Sequence, residues 1–284
     1  MSEYIILNGN YFDASQSVLT ANNRAFKYGD ALFETMFASG GKVPLFYKHL
    51  ERLIKSMKIL NMEVPVKFTV DTSGLKEEII RLIVKNRFFH GARVRFSVFR
   101  NDGGLYTPEN NEVSYIIETT PLKNKKFELN QIGQKIDVYE DFKKQINLLS
   151  NIKSANSLLY ILASDFRKKH FFDEMLLQNN NNYLIEAISS NLFICKDNVI
   201  YTPSISEGCV AGVMRRKVIE KARKSDFKVI DDCMLTVDNL LLADEIFLTN
   251  AVSGIKWVGA FKDRRYYNRI SKQLLLSIND EFFE

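Results

Sequence analysis

The chain alternates short apolar runs with polar breaks, and the period of each run predicts an element. YIILNGNYF (residues 4–12) sets two apolar runs around Asn8-Gly9, the pattern of a β-hairpin. ALFETMFASGGKVPLF (31–46) reads as a second hairpin, turning at Gly40-Gly41. From Tyr47 to Asn61 the period becomes helical, with Leu50, Leu53, Ile54, Met57 and Leu60 on one stripe. A further helix is predicted across Leu75 to Asn86. ARVRFSVFR (92–100) and VSYIIETTP (113–121) alternate as antiparallel neighbours. The long, glycine-bearing stretch from Asn101 to Pro108 between them is a candidate functional loop.

At Pro121 to Lys126 the composition turns polar, which marks a linker. The predicted division is a small domain over 1–120, a linker over 121–128 and a larger domain over 129–284. In the second part QKIDVYE reads as a strand, followed by Leu158, Leu159, Ile161, Leu162 and Phe166 at helical spacing. Ser150 and Asn151 are good N-cap residues, so a core helix is predicted to begin near Lys153. DEMLLQ, NYLIEAI, SNLFICK, NVIYTP and DEIFLTN read as strands. Gly212 to Lys224 and RISKQLLLSINDEFF read as helices, the first with Met214, Val218, Ile219 and Ala222 inward. Strands and helices mix without regular βα alternation, which predicts an α+β architecture.

Composition narrows the function classes. Hydrophobic residues make up 46% and charged residues 26% of 284, enough to bury a sizeable core. The net charge of +5 is mild, and no basic stripe with interleaved aromatics appears, which argues against nucleic acid. Cys195, Cys209 and Cys233 are odd in number and lack a CxxC, which speaks for a reducing compartment and against a disulfide scaffold or zinc. His49, His90 and His170 make no metal-ligand spacing. No signal-peptide pattern opens the chain and no run of 18 apolar residues occurs, so a cytoplasmic protein without a membrane span is expected.

Three features carry chemistry. Lys153, placed at a helix start, is either solvated or held as a neutral amine, because the first turn disfavours an ammonium. Glu186 lies among Leu184, Ile185, Ala187 and Ile188, and a carboxylate in a buried strand needs a partner. That partner is an arginine or lysine of a neighbouring element, or a ligand cation. Gly208, Ala211 and Gly212 precede a helix whose first N–H groups, at Val213 and Met214, suit an anion, although a plain glycine-rich turn has the same appearance. Lysine, buried carboxylate and phosphate cradle together suggest pyridoxal phosphate.

The motifs resemble those of class IV aminotransferases, the fold-type IV pyridoxal-phosphate enzymes, from about Ile6 to Val258. Asn23 to Glu34 looks like the N-terminal signature, and His49-Leu50-Glu51-Arg52-Leu53 like the HxxRL helix, whose arginine binds the cofactor phosphate. Ile152 to Asn156 looks like the Schiff-base segment, and Glu186 with Ser189 to Phe193 like the pyridine-binding strand. Ala211 to Arg216 and Asp244 to Ala251 look like the two phosphate loops. The resemblance implies Lys153 as catalytic residue and Arg52, Lys153, Glu186, Ser190, Asn191, Gly212, Val213, Met214, Asn250 and Ala251 as cofactor-binding residues. It also implies a small α+β domain, a larger domain with a β-barrel-like core, and a homodimer acting on a small amino substrate.

Within the family, D-amino acid aminotransferases carry an Arg-x-His pair where this chain has Gly103-Gly104-Leu105-Tyr106, and a tyrosine where it has Phe33. Branched-chain enzymes follow the lysine with a glycine pair and a tyrosine, where this chain has Ser154 to Leu158. Lys-x-x-Asn, Phe33, the loop ending in Tyr106 and Asn250-Ala251 look like 4-amino-4-deoxychorismate lyases. The expected reaction is therefore that lyase step of folate synthesis. An aminotransferase of branched-chain or D-amino acids is the alternative, and a catalytically idle cofactor-binding protein a third reading. Phe33, Arg95, Arg100, Tyr106 and Lys256 are the candidate substrate residues, each arginine or lysine being equally suited to an ion pair.

Overall fold

The computed structural model describes residues 3–283, in two compact units. One comprises the chain up to Lys126 together with Ile152–Asn156; the other comprises Phe127–Asn151 and the chain from Ser157 onward.

In the first unit, β1 (Tyr4–Leu7) and β2 (Asn10–Asp13) form the predicted hairpin. Asn8 and Gly9 both take positive φ, 50° and 87°, as a two-residue turn of this kind requires. α1 (Arg24–Tyr28) leads into β3 (Ala31–Ala38). The expected second hairpin is not formed. Ser39 and Lys42 close a tight turn, and the chain then enters α2 (Phe46–Ile59). The reason is Pro44, which has no N–H for a returning ladder. α3 (Thr72–Lys85), β4 (Gly91–Arg100) and β5 (Val113–Leu122) complete an antiparallel sheet of order β2-β1-β5-β4-β3. Leu50, Leu53 and Met57 of α2 and Leu75, Ile79 and Leu82 of α3 share one core with Leu32, Met36, Val94, Phe96 and Val98 of the sheet. The alternate residues Phe33, Arg93, Arg95 and Ser97 therefore project from the other face.

Ile152–Asn156 adds to the edge of this sheet. The Phe33 N–H donates to the Lys153 carbonyl at 3.0 Å, and the Ala155 N–H to the Ala31 carbonyl at 2.9 Å. Lys153 is thus extended edge backbone, not the first turn of a helix, and no helix N-terminus at this position acts on its amine. α4 starts later, at Leu158–Lys169, with Ser157 at its N-cap. Ser150 and Asn151 do not cap it, because the Ser150 side chain serves its own turn and that of Asn151 ties the turn to the segment before α5. Ser150 Oγ donates to the Gln145 carbonyl at 2.8 Å, and Asn151 Nδ2 to the carbonyls of Ile205 and Cys209 at 2.8 and 2.7 Å.

The second unit is built on β6 (Gln134–Lys144), β7 (Glu174–Asn179), β8 (Leu184–Ala187) and β9 (Asn191–Lys196). After β10 (Val199–Pro203), α5 (Val213–Lys224), β11 (Lys228–Cys233) and α6 (Val237–Leu242) come β12 (Glu245–Asn250) and β13 (Gly254–Phe261), then β14 (Arg264–Arg265) and α7 (Arg269–Phe283). The order β9-β12-β13-β6-β7-β8 returns to β9 through the pair Glu186–Asn191, so six strands close as a barrel. Ile136, Leu176, Leu184, Leu192, Ile246, Leu248, Val258 and Phe261 fill a core of this unit. The α+β class with a barrel-like core holds. α4 meets its reading as a core helix in part: Leu159 and Phe166 pack with the buried Ala163 against Tyr139, Met175 and Leu177, whereas Leu158, Ile161 and Leu162 are 75%, 59% and 50% exposed.

Candidate active site

In the first unit the site begins with a buried carboxylate. β3 alternation turns Glu34 inward with Leu32 and Met36, against α2. His49 and Arg52, three residues apart on α2, meet it on one helix face. His49 Nδ1 lies 2.6 Å from Glu34 Oε2, and Arg52 donates through Nε to Oε1 at 2.8 Å and through Nη2 to Oε2. Burial works to raise the Glu34 pKa, but Arg52 and His49 overcome it and bring the carboxyl down to about 2. Burial lowers the His49 pKa despite Glu34, and the charges of Arg52 and Lys153 act in the same direction. His49 is therefore neutral and donates its Nδ1 proton in a charge-assisted hydrogen bond. Its Nε2 is buried and has no partner among the described residues.

On the outer face, the Phe33 ring carries two cations. Arg95 Cζ lies 3.9 Å and Lys153 Nζ 4.5 Å from its centroid. Arg95 also donates through Nε to Ser97 Oγ at 3.2 Å and faces Glu118 at 4.0 Å. Arg93 lies two residues away on the same face, a position that sequence reasoning passed over although the alternation Arg93-Val94-Arg95 contains it. Arg100 has a structural task. Its Nε bonds Asp30 Oδ2 at 2.9 Å, and its other donors meet the carbonyls of Leu60 and Asn61 and the Asn111 amide. Arg24 shares Asp30 Oδ2, also at 2.9 Å, and donates to the carbonyls of Gly103 and Leu105 at 2.9 and 2.6 Å. The Asn101 to Pro108 loop is thus tied to α1, and Tyr106 projects from it, 90% exposed, with its ring centroid 5.7 Å from that of Tyr28.

In the second unit Glu186 is buried and receives three donors. Lys144 Nζ and the Tyr160 hydroxyl meet Oε1 at 2.7 and 2.8 Å, and the Val210 N–H meets Oε2 at 2.8 Å. The partner expected of this carboxylate is a lysine from a neighbouring element. Lys144 and Tyr160 were missed in the sequence. Lys144 reaches Glu186 through a register irregularity in β6 after Tyr139, which no pattern announces. Gly212 is the N-cap of α5 and provides no side-chain cap. A Cβ there would fall 1.8 Å from Asn191 Oδ1, so any larger residue would have to push the Asn191 amide out of its place. The N–H groups of the first turn, from Val213 and Met214 onward, have no intrahelical acceptor. Thr249 is paired with Asn191 across β9 and β12, so the two side chains share a face, and its hydroxyl is buried without a partner among the described residues. Asn250 shapes the next turn: its Oδ1 accepts from the N–H groups of Val252 and Ser253, and its Nδ2 donates to Ser190 Oγ. Ala251 follows in that turn. Lys256, half-buried on β13, donates to the Glu128 carbonyl at 2.9 Å.

Residues 31–260 match the family described as Amino-transferase class IV. The chain belongs to this family. Among curated relatives it is 25% identical over 284 residues to the putative branched-chain-amino-acid aminotransferase of Methanocaldococcus jannaschii, covering 98% of this chain and 94% of that one. It is 29% identical over 252 residues to the aminodeoxychorismate lyase of Vibrio harveyi, covering 84% and 86%. In fold it is similar to the branched-chain amino acid aminotransferase of Escherichia coli. There the TM-score is 0.87 at 23% identity, with 99% of this chain and 95% of that one covered.

Class IV aminotransferases use pyridoxal phosphate. That group needs an amine for its aldehyde, an anion for its ring nitrogen and donors for its phosphate. Each unit holds residues whose chemistry suits one of these needs: the first has the amine of Lys153, and in the second Glu186 keeps a lone pair on Oε2 beyond the one Val210 takes, while the first-turn N–H groups of α5 have no intrahelical acceptor. Among the described residues no group of three or more metal-ligating side chains occurs, and no helix is long and apolar enough to cross a membrane.

Proposed function

We propose that this class IV protein is a 4-amino-4-deoxychorismate lyase, releasing pyruvate and 4-aminobenzoate. The observation that carries the reading is the Phe33 ring, with Arg95 on it at 3.9 Å, Lys153 at 4.5 Å, and Arg93 on the same strand face. A substrate with two carboxylates suits a proton-accepting amine that shares an aromatic ring with one guanidinium and has a second guanidinium further along the same strand face. The Gly103 to Tyr106 stretch offers neither arginine nor histidine, so it contributes aromatic and backbone contacts rather than a carboxylate trap.

Lys153 Nζ binds the cofactor aldehyde and, as a free amine, takes the proton from the substrate Cα. The cofactor, when bound, supplies the sink for the electron pair left at that carbon. Glu186 holds the proton on the ring nitrogen. Arg52, kept in orientation by Glu34, is the phosphate-binding cation that the first unit offers; the donors that the second unit offers are the N–H groups of Val213 and Met214, the Thr249 hydroxyl and the Ala251 turn. Arg95 orients a substrate carboxylate against Phe33. The uncovered apolar face of α4, with Leu148 of the preceding turn 70% exposed, supports a homodimer built on it. A second reading, aminotransferase, is favoured by the likeness to the Methanocaldococcus jannaschii protein over nearly the whole chain.

The test is a product assay on cofactor-loaded protein with aminodeoxychorismate generated in place. Equal release of pyruvate and 4-aminobenzoate with no amino acceptor present is the expected result. Silence there, with amino transfer to a 2-oxo acid from a panel of amino acids, would replace the lyase by the aminotransferase.

A further inference from the structure

Glu186 has more partners than the site requires. A carboxylate has about four lone-pair positions, two on each oxygen. Oε1 has both filled, by Lys144 Nζ at 2.7 Å and the Tyr160 hydroxyl at 2.8 Å. Oε2 has one filled, by the Val210 N–H at 2.8 Å. The ammonium is itself fixed, because Lys144 also donates to the Ser150 carbonyl at 2.8 Å and lies 5.7 Å from the Tyr160 ring centroid. Both Lys144 and Glu186 are largely withdrawn from solvent. An ammonium in that setting acts strongly on the charge of its partner.

We infer that Lys144 and Tyr160 are positioning residues for Glu186. They occupy Oε1 and leave Oε2 to the cofactor nitrogen, and the Lys144 charge sets how tightly the carboxylate holds that nitrogen's proton. The inference rests on the assignment of Glu186 to the ring nitrogen. Three titratable groups face this carboxylate: Lys144 from β6, Tyr160 from α4 and Cys209 from the turn before α5. Burial, and then the Glu186 charge, push the Tyr160 phenol far up, so it remains a neutral donor. The same two causes push the Cys209 thiol up to about 12, so it remains uncharged. Arg215, which acts on Cys209, has its guanidinium taken up by Thr202, Pro203 and Asp231. Lys144 is thus the one fixed charge directly on Glu186 among the described residues.

The test compares Lys144→Met, Lys144→Arg, Tyr160→Phe and Glu186→Gln with the parent protein. Each is loaded with pyridoxal phosphate, checked for fold by circular dichroism and titrated through its visible band. Removing a fixed cation favours any cationic form of the bound cofactor. Lys144→Met is therefore expected to raise the titration midpoint by about one pH unit, and Lys144→Arg to leave it in place. Tyr160→Phe removes no charge and is expected to keep the midpoint while weakening cofactor binding several-fold. Equal midpoints in the parent and both lysine variants, or equal shifts in Met and Arg, would overturn the inference. If Lys144→Met does not fold, Tyr160→Phe decides: unchanged cofactor affinity overturns the inference and weakened affinity at a parent midpoint supports it. A Glu186→Gln spectrum and midpoint like the parent's would instead remove the ring-nitrogen assignment. A changed Glu186→Gln beside an unchanged Lys144→Met would leave that assignment standing and remove only Lys144.

Discussion

Glu34→Gln isolates the charge on which the first unit's network depends. Glutamine keeps the shape of the side chain and removes the anion between His49 and Arg52. The Glu34 carboxyl sits at about 2 in the fold against an ordinary 4.5. At about 1.4 kcal/mol per unit, that difference is worth about 3 kcal/mol at pH 7. Because the folded value is the lower one, this stabilisation is present above pH 4.5 and declines as pH falls from 4.5 toward 2. The cost of Glu34→Gln should therefore be about 3 kcal/mol at pH 7 and roughly half that at pH 3. His49 adds acid lability of the same direction. Its folded pKa lies below the ordinary 6.5, so the unfolded chain gains protons first as pH falls below 6.5. Urea unfolding followed by far-UV circular dichroism at pH 7, 4 and 3, on parent and variant, measures the difference. A cost that stays constant over this range, or below about 1 kcal/mol at pH 7, would refute the buried-charge account.

Gly212→Ala should weaken pyridoxal phosphate binding by on the order of tenfold or more, because the added Cβ would fall 1.8 Å from Asn191 Oδ1 at the start of α5; parent-like affinity would move the phosphate elsewhere. Asp30→Ala leaves the Arg24 and Arg100 side chains without their shared carboxylate. It should destabilise by about 3–5 kcal/mol and speed proteolysis in the Asn101 to Pro108 loop, and an unchanged cleavage rate would count against the anchoring role. Leu162→Glu, on the exposed face of α4, should yield monomers in sedimentation, and an intact dimer would exclude that face as the contact.

Patterns of one element were legible in the sequence. The Asn8-Gly9 hairpin, the α2 stripe and the alternation of β4 each follow from local chemistry, and each stands in the fold. Positions set by distant chain were not legible. Lys153 looked like a helix start because Leu158 to Phe166 are helical, but its own backbone is claimed by β3, more than a hundred residues earlier. The α4 stripe reads as core throughout because apolar spacing alone does not separate Leu159 and Phe166, which pack on the sheet, from Leu158, Ile161 and Leu162, which do not. β13 escaped notice because Gly254 and Gly259 break its alternation, although Gly259 is where Gly133 makes a close backbone approach. Glu186 was found because a carboxylate among apolar strand residues signals a partner. Lys144 and Tyr160 were not, since nothing local distinguishes them from a strand-end lysine and a helix tyrosine.

The most direct test of the central claim is chemical. Protein loaded with pyridoxal phosphate would be reduced with borohydride, digested and mapped by mass spectrometry. A phosphopyridoxyl group on Lys153, and its loss in Lys153→Ala, is the result expected from the site as assigned. A label on another lysine, or a visible cofactor band retained by Lys153→Ala, would contradict it.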